Sequence, residues 1–288
     1  LLRGLTPDWP DDAPWCLVSP ADQPAFMQPP VPGGDLAAFK SRAATPDALD
    51  MLVTSKNHDL KSDVMADAQP EDWVFALVSL QTMEGFMGAG NYGISRMNGG
   101  FASRSALGVI ADAKPGSRFC RDVCVLLRNR DRILEDNDLK PSGGIGLVWV
   151  EPWDGQGQIR FSDLDPFYVE VCRRVRLEQR SEVLVARLAG SKKARIAAGE
   201  LKGRTGDPWA PIELADGGGK TWPEPKALTI TGDGFSYQKM TELILGKRYR
   251  PPVAQEIGDD DAATGLAVAA CGLARGQGKT EGFHERIV

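Results

Sequence analysis

Two short runs in this sequence carry the residue types that handle phosphate: Gly88-Ala-Gly90-Asn91-Tyr-Gly93 and Gly276-Gln277-Gly278-Lys279-Thr280. The first matches G-x-G-x-x-G, and Asp112 falls about where a ribose-binding acid would stand. A dinucleotide site, however, needs a strand running straight into the first glycine. Glu84-Gly85-Phe86-Met87 is no strand, and Asn98-Gly99-Gly100 would interrupt the helix required afterwards. The second run ends like a phosphate-binding loop, but the position that must hold the upstream glycine is Leu273. Another G-K-T, Gly219-Lys220-Thr221, fails in the same way at Leu214. What both loops offer is backbone N–H without a side chain in the way, able to approach a phosphate or a groove floor closely. Gln277, between two glycines, is a protruding amide suited to insertion.

Other chemistry is sparse. His58 and His284 are the only imidazoles, which excludes a histidine-rich metal centre. The five cysteines, Cys16, Cys120, Cys124, Cys172 and Cys271, form no C-x-x-C pair and read as reduced core residues of a cytoplasmic protein, with Cys120 and Cys124 neighbours on a helix. A hydrolase built on His284 with Glu281 or Glu285 has no nearby nucleophile except Thr280. A nucleotide-dependent hydrolase using the Gly276–Thr280 loop stands as the alternative to a binding role. Neither a cofactor nor a metal is expected.

The net charge of −5 over 288 residues hides an asymmetry. Residues 1–50 hold three basic side chains against seven acidic ones, residues 91–132 eight against three, and residues 171–205 ten against three. Two basic segments can present a cationic face to phosphates even in an acidic protein. The overall acidity argues against an autonomous, non-specific DNA binder, an objection that a subunit of a larger assembly escapes. Arg96 and Arg104 read either as phosphate contacts or as a structural ion pair, and Arg173, Arg174 and Arg176 as a basic strand edge.

The elements that must position these loops are an α+β set. The Pro- and Asp-rich first 35 residues read as an extended surface segment, punctuated by Trp9 and Trp15. Helices are predicted over Pro46–Val53 with Thr45 as N-cap, Glu71–Met83, Gln238–Leu245 and the Ala-rich Ala262–Leu273. Strands are predicted over Ile145–Val150, Tyr168–Val175 and Glu182–Leu188, the last two carrying outward Arg, and over Ala227–Ile230. Val123–Leu127 fits either state. Trp149 and Trp153 read as core, and His284 as part of a salt-bridge cluster with Glu281, Glu285 and Arg286. Strands and helices do not alternate regularly, so a mixed, loop-rich globular domain with antiparallel strands and flanking helices is expected rather than a doubly wound sheet. No apolar stretch approaches the length of a membrane span, and no leader pattern opens the chain.

Four segments occur in a familiar order: Phe26-Met-Gln28, Thr54-Ser-Lys-Asn-His-Asp-Leu-Lys61, the run Gly85–Phe101, and Arg275-Gly-Gln-Gly-Lys-Thr-Glu-Gly-Phe-His-Glu-Arg286. In these the chain resembles the large subunit (CasA) of the type I-E CRISPR Cascade surveillance complex, from about residue 24 to the end, most vaguely between 187 and 225. The resemblance implies that residues 1–288 are the core of the N-terminal globular domain, without the C-terminal four-helix bundle of the family. It implies a non-catalytic DNA-recognition subunit that reads the protospacer-adjacent motif from the minor groove of double-stranded DNA. Its implied partners are that DNA, the CRISPR guide RNA, other Cascade subunits and a recruited helicase–nuclease. Carried over by position, Gly85, Gly88, Gly90, Asn91, Gly93 and Lys220 read the motif, and Gln277 between Gly276 and Gly278 is the wedge. Thr54, Lys56, Asn57, His58 and Lys61 meet the guide handle and neighbouring subunits. Arg96, Arg104 and Lys279 are the phosphate-contact candidates. The zinc-binding cysteine cluster of some relatives has no counterpart here.

Overall fold

The computed structural model describes residues 2–52, 65, 67–101, 104–112, 114–214, 224–258, 261, 265–276 and 279–288, the side chain of Lys279 excepted. The helices are α1 (Leu2–Leu5), α2 (Pro70–Met83), α3 (Pro115–Arg128), α4 (Arg130–Asp136) and α5 (Tyr237–Leu245). The strands are β1 (Ser41–Ala43), β2 (Ser105–Ile110), β3 (Ile145–Leu147), β4 (Ile159–Arg160), β5 (Leu164–Val169), β6 (Arg174–Arg180), β7 (Val183–Ala189), β8 (Ile196–Ala197), β9 (Ile212–Glu213), β10 (Lys226–Ala227), β11 (Tyr249–Arg250), β12 (Ala267–Gly276) and β13 (Lys279–Ile287). Small antiparallel sheets ordered β1-β7-β6, β10-β9-β11 and β13-β12-β2, with two parallel pairs, β3-β5 and β4-β8, make this the expected α+β domain. No helix among the described residues is long and apolar enough to cross a membrane.

Local chemistry explains the helices. Pro70 opens α2, and the Gln69 N–H donates to the Asp72 carboxylate across the first turn, 2.7 Å away. Trp73, Ala76, Leu77 and Leu80 then recur at helical spacing and are all buried. Ser236 caps α5 by accepting from the Lys239 N–H. The main core joins α2 to β5, β6 and β7, while a second cluster packs Met240 and Leu243 of α5 with Leu107, Leu228, Ile230 and Tyr249.

Several expectations are corrected. Of the Ala-rich stretch expected as a helix over 262–273, residues 267–273 belong to β12, which pairs with β13 on one side and β2 on the other, and residues 262–264 lie outside the described residues. Small side chains let both neighbours close over it: a Cβ on Gly272 would stand 3.0 Å from the Arg104 carbonyl oxygen. Of the helix expected over Pro46–Val53, the described residues form only a 3-10 turn, Pro46–Ala48, without a side-chain cap from Thr45, and Val53 lies outside them. Tyr168–Val175 splits into the end of β5 and the start of β6. The Ile145–Val150 strand stops at Leu147, and Ala227–Ile230 contributes only its first residue to β10. Cys172 is buried, whereas Cys16, Cys120 and Cys124 are exposed, not core.

The basic strand edge is also inverted. Arg173, Arg174 and Arg176 are buried, and Arg176 is covered by the N-terminal segment, which is mostly exposed or half-buried over residues 2–23 and largely buried over 24–31. Arg176 donates to four carbonyls of that segment, those of Ser19, Pro20, Gln23 and Gln28. The Gln28 side chain in turn accepts from Leu177 N–H at 2.6 Å and donates to the Leu17 and Phe26 carbonyls.

Candidate nucleic-acid interface

The glycine loop begins where α2 stops. Glu84 is already extended, and the chain closes into a lobe through Ile94 N–H to the Glu84 carbonyl (2.9 Å), Phe86 N–H to Gly100 (2.9 Å) and Met87 N–H to Asn91 (2.8 Å). This is neither the strand before nor the helix after a dinucleotide fingerprint. Gly88 and Gly90 hold φ near +105° and +90°, a conformation L residues rarely adopt. Gly93 is required for another reason: a Cβ there would lie 2.5 Å from the Gly85 carbonyl carbon. The tip residue Asn91 is exposed.

A buried ion cluster roots the loop. Glu84 pairs with Arg173 at 3.2 Å and with Arg275 at 3.1 Å, all three side chains being at least nine-tenths buried. Arg173 also donates to the Gly85 carbonyl at 2.9 Å and to that of Tyr92, gripping both arms of the lobe. Arg275, the last residue before Gly276, donates to Thr280 Oγ1 at 2.6 Å, and Thr280 donates to the Met51 carbonyl at 2.7 Å. The Met51 N–H is held by Ser79 Oγ of α2. Residues at the roots of three loops singled out in the sequence, 54–61, 85–93 and 276–280, are therefore bonded into one unit.

Two guanidiniums share the Glu84 carboxylate beneath the glycine loop. Burial, reinforced by Arg173 and opposed by Glu84, holds the Arg275 guanidinium below its ordinary value.

The candidate residues fall into three groups. Gly85, Gly88, Gly90, Asn91, Gly93 and Gly276 sit on or beside this unit. Thr54, Lys56, Asn57, His58, Lys61, Lys220, Gln277, Gly278 and the side chain of Lys279 lie outside the described residues. Arg96 and Arg104 instead converge on Asp207, at 3.6 and 2.7 Å. Arg96 is buried, stacks over Tyr168 and donates to the Tyr168 carbonyl, so its guanidinium faces inward and the ion-pair reading replaces phosphate contact. Arg104 keeps about a fifth of its side chain exposed. Burial works to raise the Asp207 carboxyl, but Arg104 and Arg96 outweigh it and hold the group below the usual carboxylate range.

The Gly276–Thr280 run leads from β12 into its antiparallel partner β13, where a nucleotide loop would lead into a helix. Thr280 is buried and bonded, which removes it as a nucleophile for His284. His284 packs against Gly234, where an added Cβ would meet its ring at 2.5 Å. Glu84 and Arg275 escaped the sequence reading. The available signal was a charged residue of opposite sign immediately before each glycine run.

No protein-family model matches the chain, and no curated protein sequence does. Two solved structures of Thermus thermophilus CasA resemble it at 12% identity, one with a TM-score of 0.58 over 96% of this chain and 53% of its own. The other has a TM-score of 0.55 over 100% of this chain and 61% of its own. The chain thus spans roughly half to three-fifths of the CasA chains, and at that identity the likeness is one of architecture: the fold is CasA-like.

Proposed function

We propose that this chain is the core of the N-terminal domain of the large subunit of a type I-E Cascade complex, acting as a cytoplasmic, non-catalytic DNA-recognition subunit. The observation that carries the reading is the Glu84 carboxylate shared by Arg173 and Arg275, because it ties the roots of the glycine loop and the glutamine turn to one rigid base. The four sequence segments of the CasA resemblance and the CasA-like fold support the same reading.

In it, the bare backbone of Gly85–Gly93 and Lys220 approach the minor groove of a motif-bearing duplex, where the hydrogen-bond code is degenerate. Gln277 inserts beside the motif and offsets an unstacking cost of a few kcal/mol with new contacts. The 54–61 segment meets the guide RNA handle and neighbouring subunits. Guide pairing then reads the sequence, and a recruited helicase–nuclease destroys the target.

The test is duplex binding by the guide-loaded complex reconstituted with wild-type or Gln277→Ala subunit, on targets with and without the motif, at two salt concentrations. Loss of the motif-dependent gain with an unchanged salt slope is expected. Equal binding by both subunits overturns the wedge assignment.

A further inference from the structure

A cleft of about 300 Å³ opens between the glycine loop and residues 194–199. Its walls are Phe86 and Tyr92, whose rings stand 5.8 Å apart at 47°, with Gly93, Gly99, Gly100 and Ala194 among the other lining residues. Phe86 is 37% exposed, a large apolar ring left at the surface beside bare backbone. No lining residue is charged, and of the two lining hydroxyls that of Ser95 is already bonded to Glu170 and Tyr168, which leaves the phenol of Tyr92. The cleft therefore offers ring and apolar surface with few side-chain donors and acceptors. Its volume sits at the bottom of the range for small-ligand pockets, room for one planar ring system.

Two lysines precede one of its walls in the chain. The Ser191 N–H donates to the Gly90 carbonyl at 2.9 Å, strapping the 190–193 segment to the glycine loop, and Ala194 lines the cleft. Between these two fixed points lie Lys192 and Lys193, both exposed and without an ion pair among the described residues. Aromatic faces with unneutralised lysines alongside are how proteins hold single strands, bases on rings and phosphates on cations. A duplex keeps its base faces stacked and has nothing to offer such a cleft.

We infer that this cleft takes one unpaired nucleotide of a DNA strand, its base stacked on Phe86 and Tyr92 and its neighbouring phosphates at Lys192 and Lys193. The inference rests on the nucleic-acid reading of the glycine loop and extends it from the paired motif to a strand freed beside it. Recognition by stacking makes the site tolerant of base identity.

The 288-residue chain, titrated into a single-stranded thymidine decamer with one central 2-aminopurine, tests this by fluorescence and anisotropy. Binding with a change in 2-aminopurine emission is expected, weakened roughly 5- to 100-fold by Phe86→Ala. Phe86→Leu, which keeps apolar bulk but no ring face, gives the same contrast should the alanine variant unfold. Replacing Lys192 and Lys193 together by alanine flattens the slope of log affinity against log salt by about 1.4. Wild-type chain that leaves the probe unbound, or Phe86 variants that bind it like wild type, overturn the inference. Motif-dependent duplex binding by the complex keeps the two readings apart: if it persists while strand binding is absent, the cleft assignment fails alone, and if wild type lacks it the reading of function fails.

Discussion

Glu84 Oε1 accepts from Arg275 Nη2 at 3.1 Å while its other oxygen meets Arg173 Nε at 3.2 Å, so one carboxylate ties together residues separated by 191 positions in the chain. The three side chains are almost wholly buried, and Arg173 also donates to the Gly85 and Tyr92 carbonyls while Arg275 donates to Thr280 Oγ1. A cluster with two cations and one anion is held by its geometry, since removing the anion leaves two buried charges facing each other.

Glu84→Gln therefore costs about 3–5 kcal/mol of unfolding free energy, read from urea melts. The exposed pair Arg248–Glu213 is the comparison: its arginine is 46% exposed, and Arg248→Ala changes stability by less than about 1 kcal/mol. A small effect at Glu84 would mean that the two glycine segments are not mechanically coupled.

Gly93→Ala places a Cβ 2.5 Å from backbone carbon of Gly85 and 2.8 Å from Phe86 N. Backbone cannot swing aside as a side-chain tip can, so the lobe must open. A loss of about 1–3 kcal/mol is expected, with weaker motif-dependent binding by the complex. Gly116→Ala near the start of α3 meets nothing within 4 Å and is neutral or stabilising by up to about 1 kcal/mol. Thermal melts of the two variants settle the contrast.

What the sequence made legible was mostly local. The α2 spacing, the α5 boundaries and the β7 strand follow from residue pattern, and the glycine runs stood out by composition. What it hid was tertiary. Alanines in 267–273 favour a helix in isolation, yet two flanking strands need small residues between them, and pairing overrides propensity. Arg174 and Arg176 looked outward because charged residues usually do. Only a segment from 150 residues earlier, offering four carbonyls, makes burial of Arg176 tolerable. The glycine loop was found by its type, but its root at Glu84 and Arg275 depends on a contact that no local pattern encodes.

Tyr168 supplies a pH test. Burial pushes its phenol up to about 12, against an ordinary value near 10, with Glu170 adding to the shift and Arg96 opposing it. A folded-state value above the unfolded one means stability that is complete below about pH 10 and lost as pH rises toward 12. The stability advantage of wild type over Tyr168→Phe, measured by urea unfolding, shrinks by about 2–3 kcal/mol between pH 9 and 12. A constant difference would place the hydroxyl in contact with water. The hydroxyl is instead 2.8 Å from Ser95 Oγ.

The cysteines report directly on the ion cluster. Cys16, Cys120 and Cys124 are exposed, the latter two one turn apart on α3, and a chromogenic disulfide reagent at pH 8 modifies them first. Cys271 is partly buried and its thiol is raised by that burial, so it follows more slowly. Cys172 directly precedes Arg173, is buried, and donates to the Leu80 carbonyl at 3.4 Å. Burial, with Glu84 and Glu170 adding and Arg173 opposing, pushes its thiol up to about 12, which lowers the thiolate fraction roughly a thousand-fold against a free cysteine. Native protein thus leaves Cys172 unmodified until the chain unfolds, and Glu84→Gln, which loosens Arg173 beside it, brings its modification forward. If Cys172 reacts as fast in native wild type as Cys120 does, the region around Arg173 opens on the labelling timescale, and the base assigned to the glycine loop is not rigid.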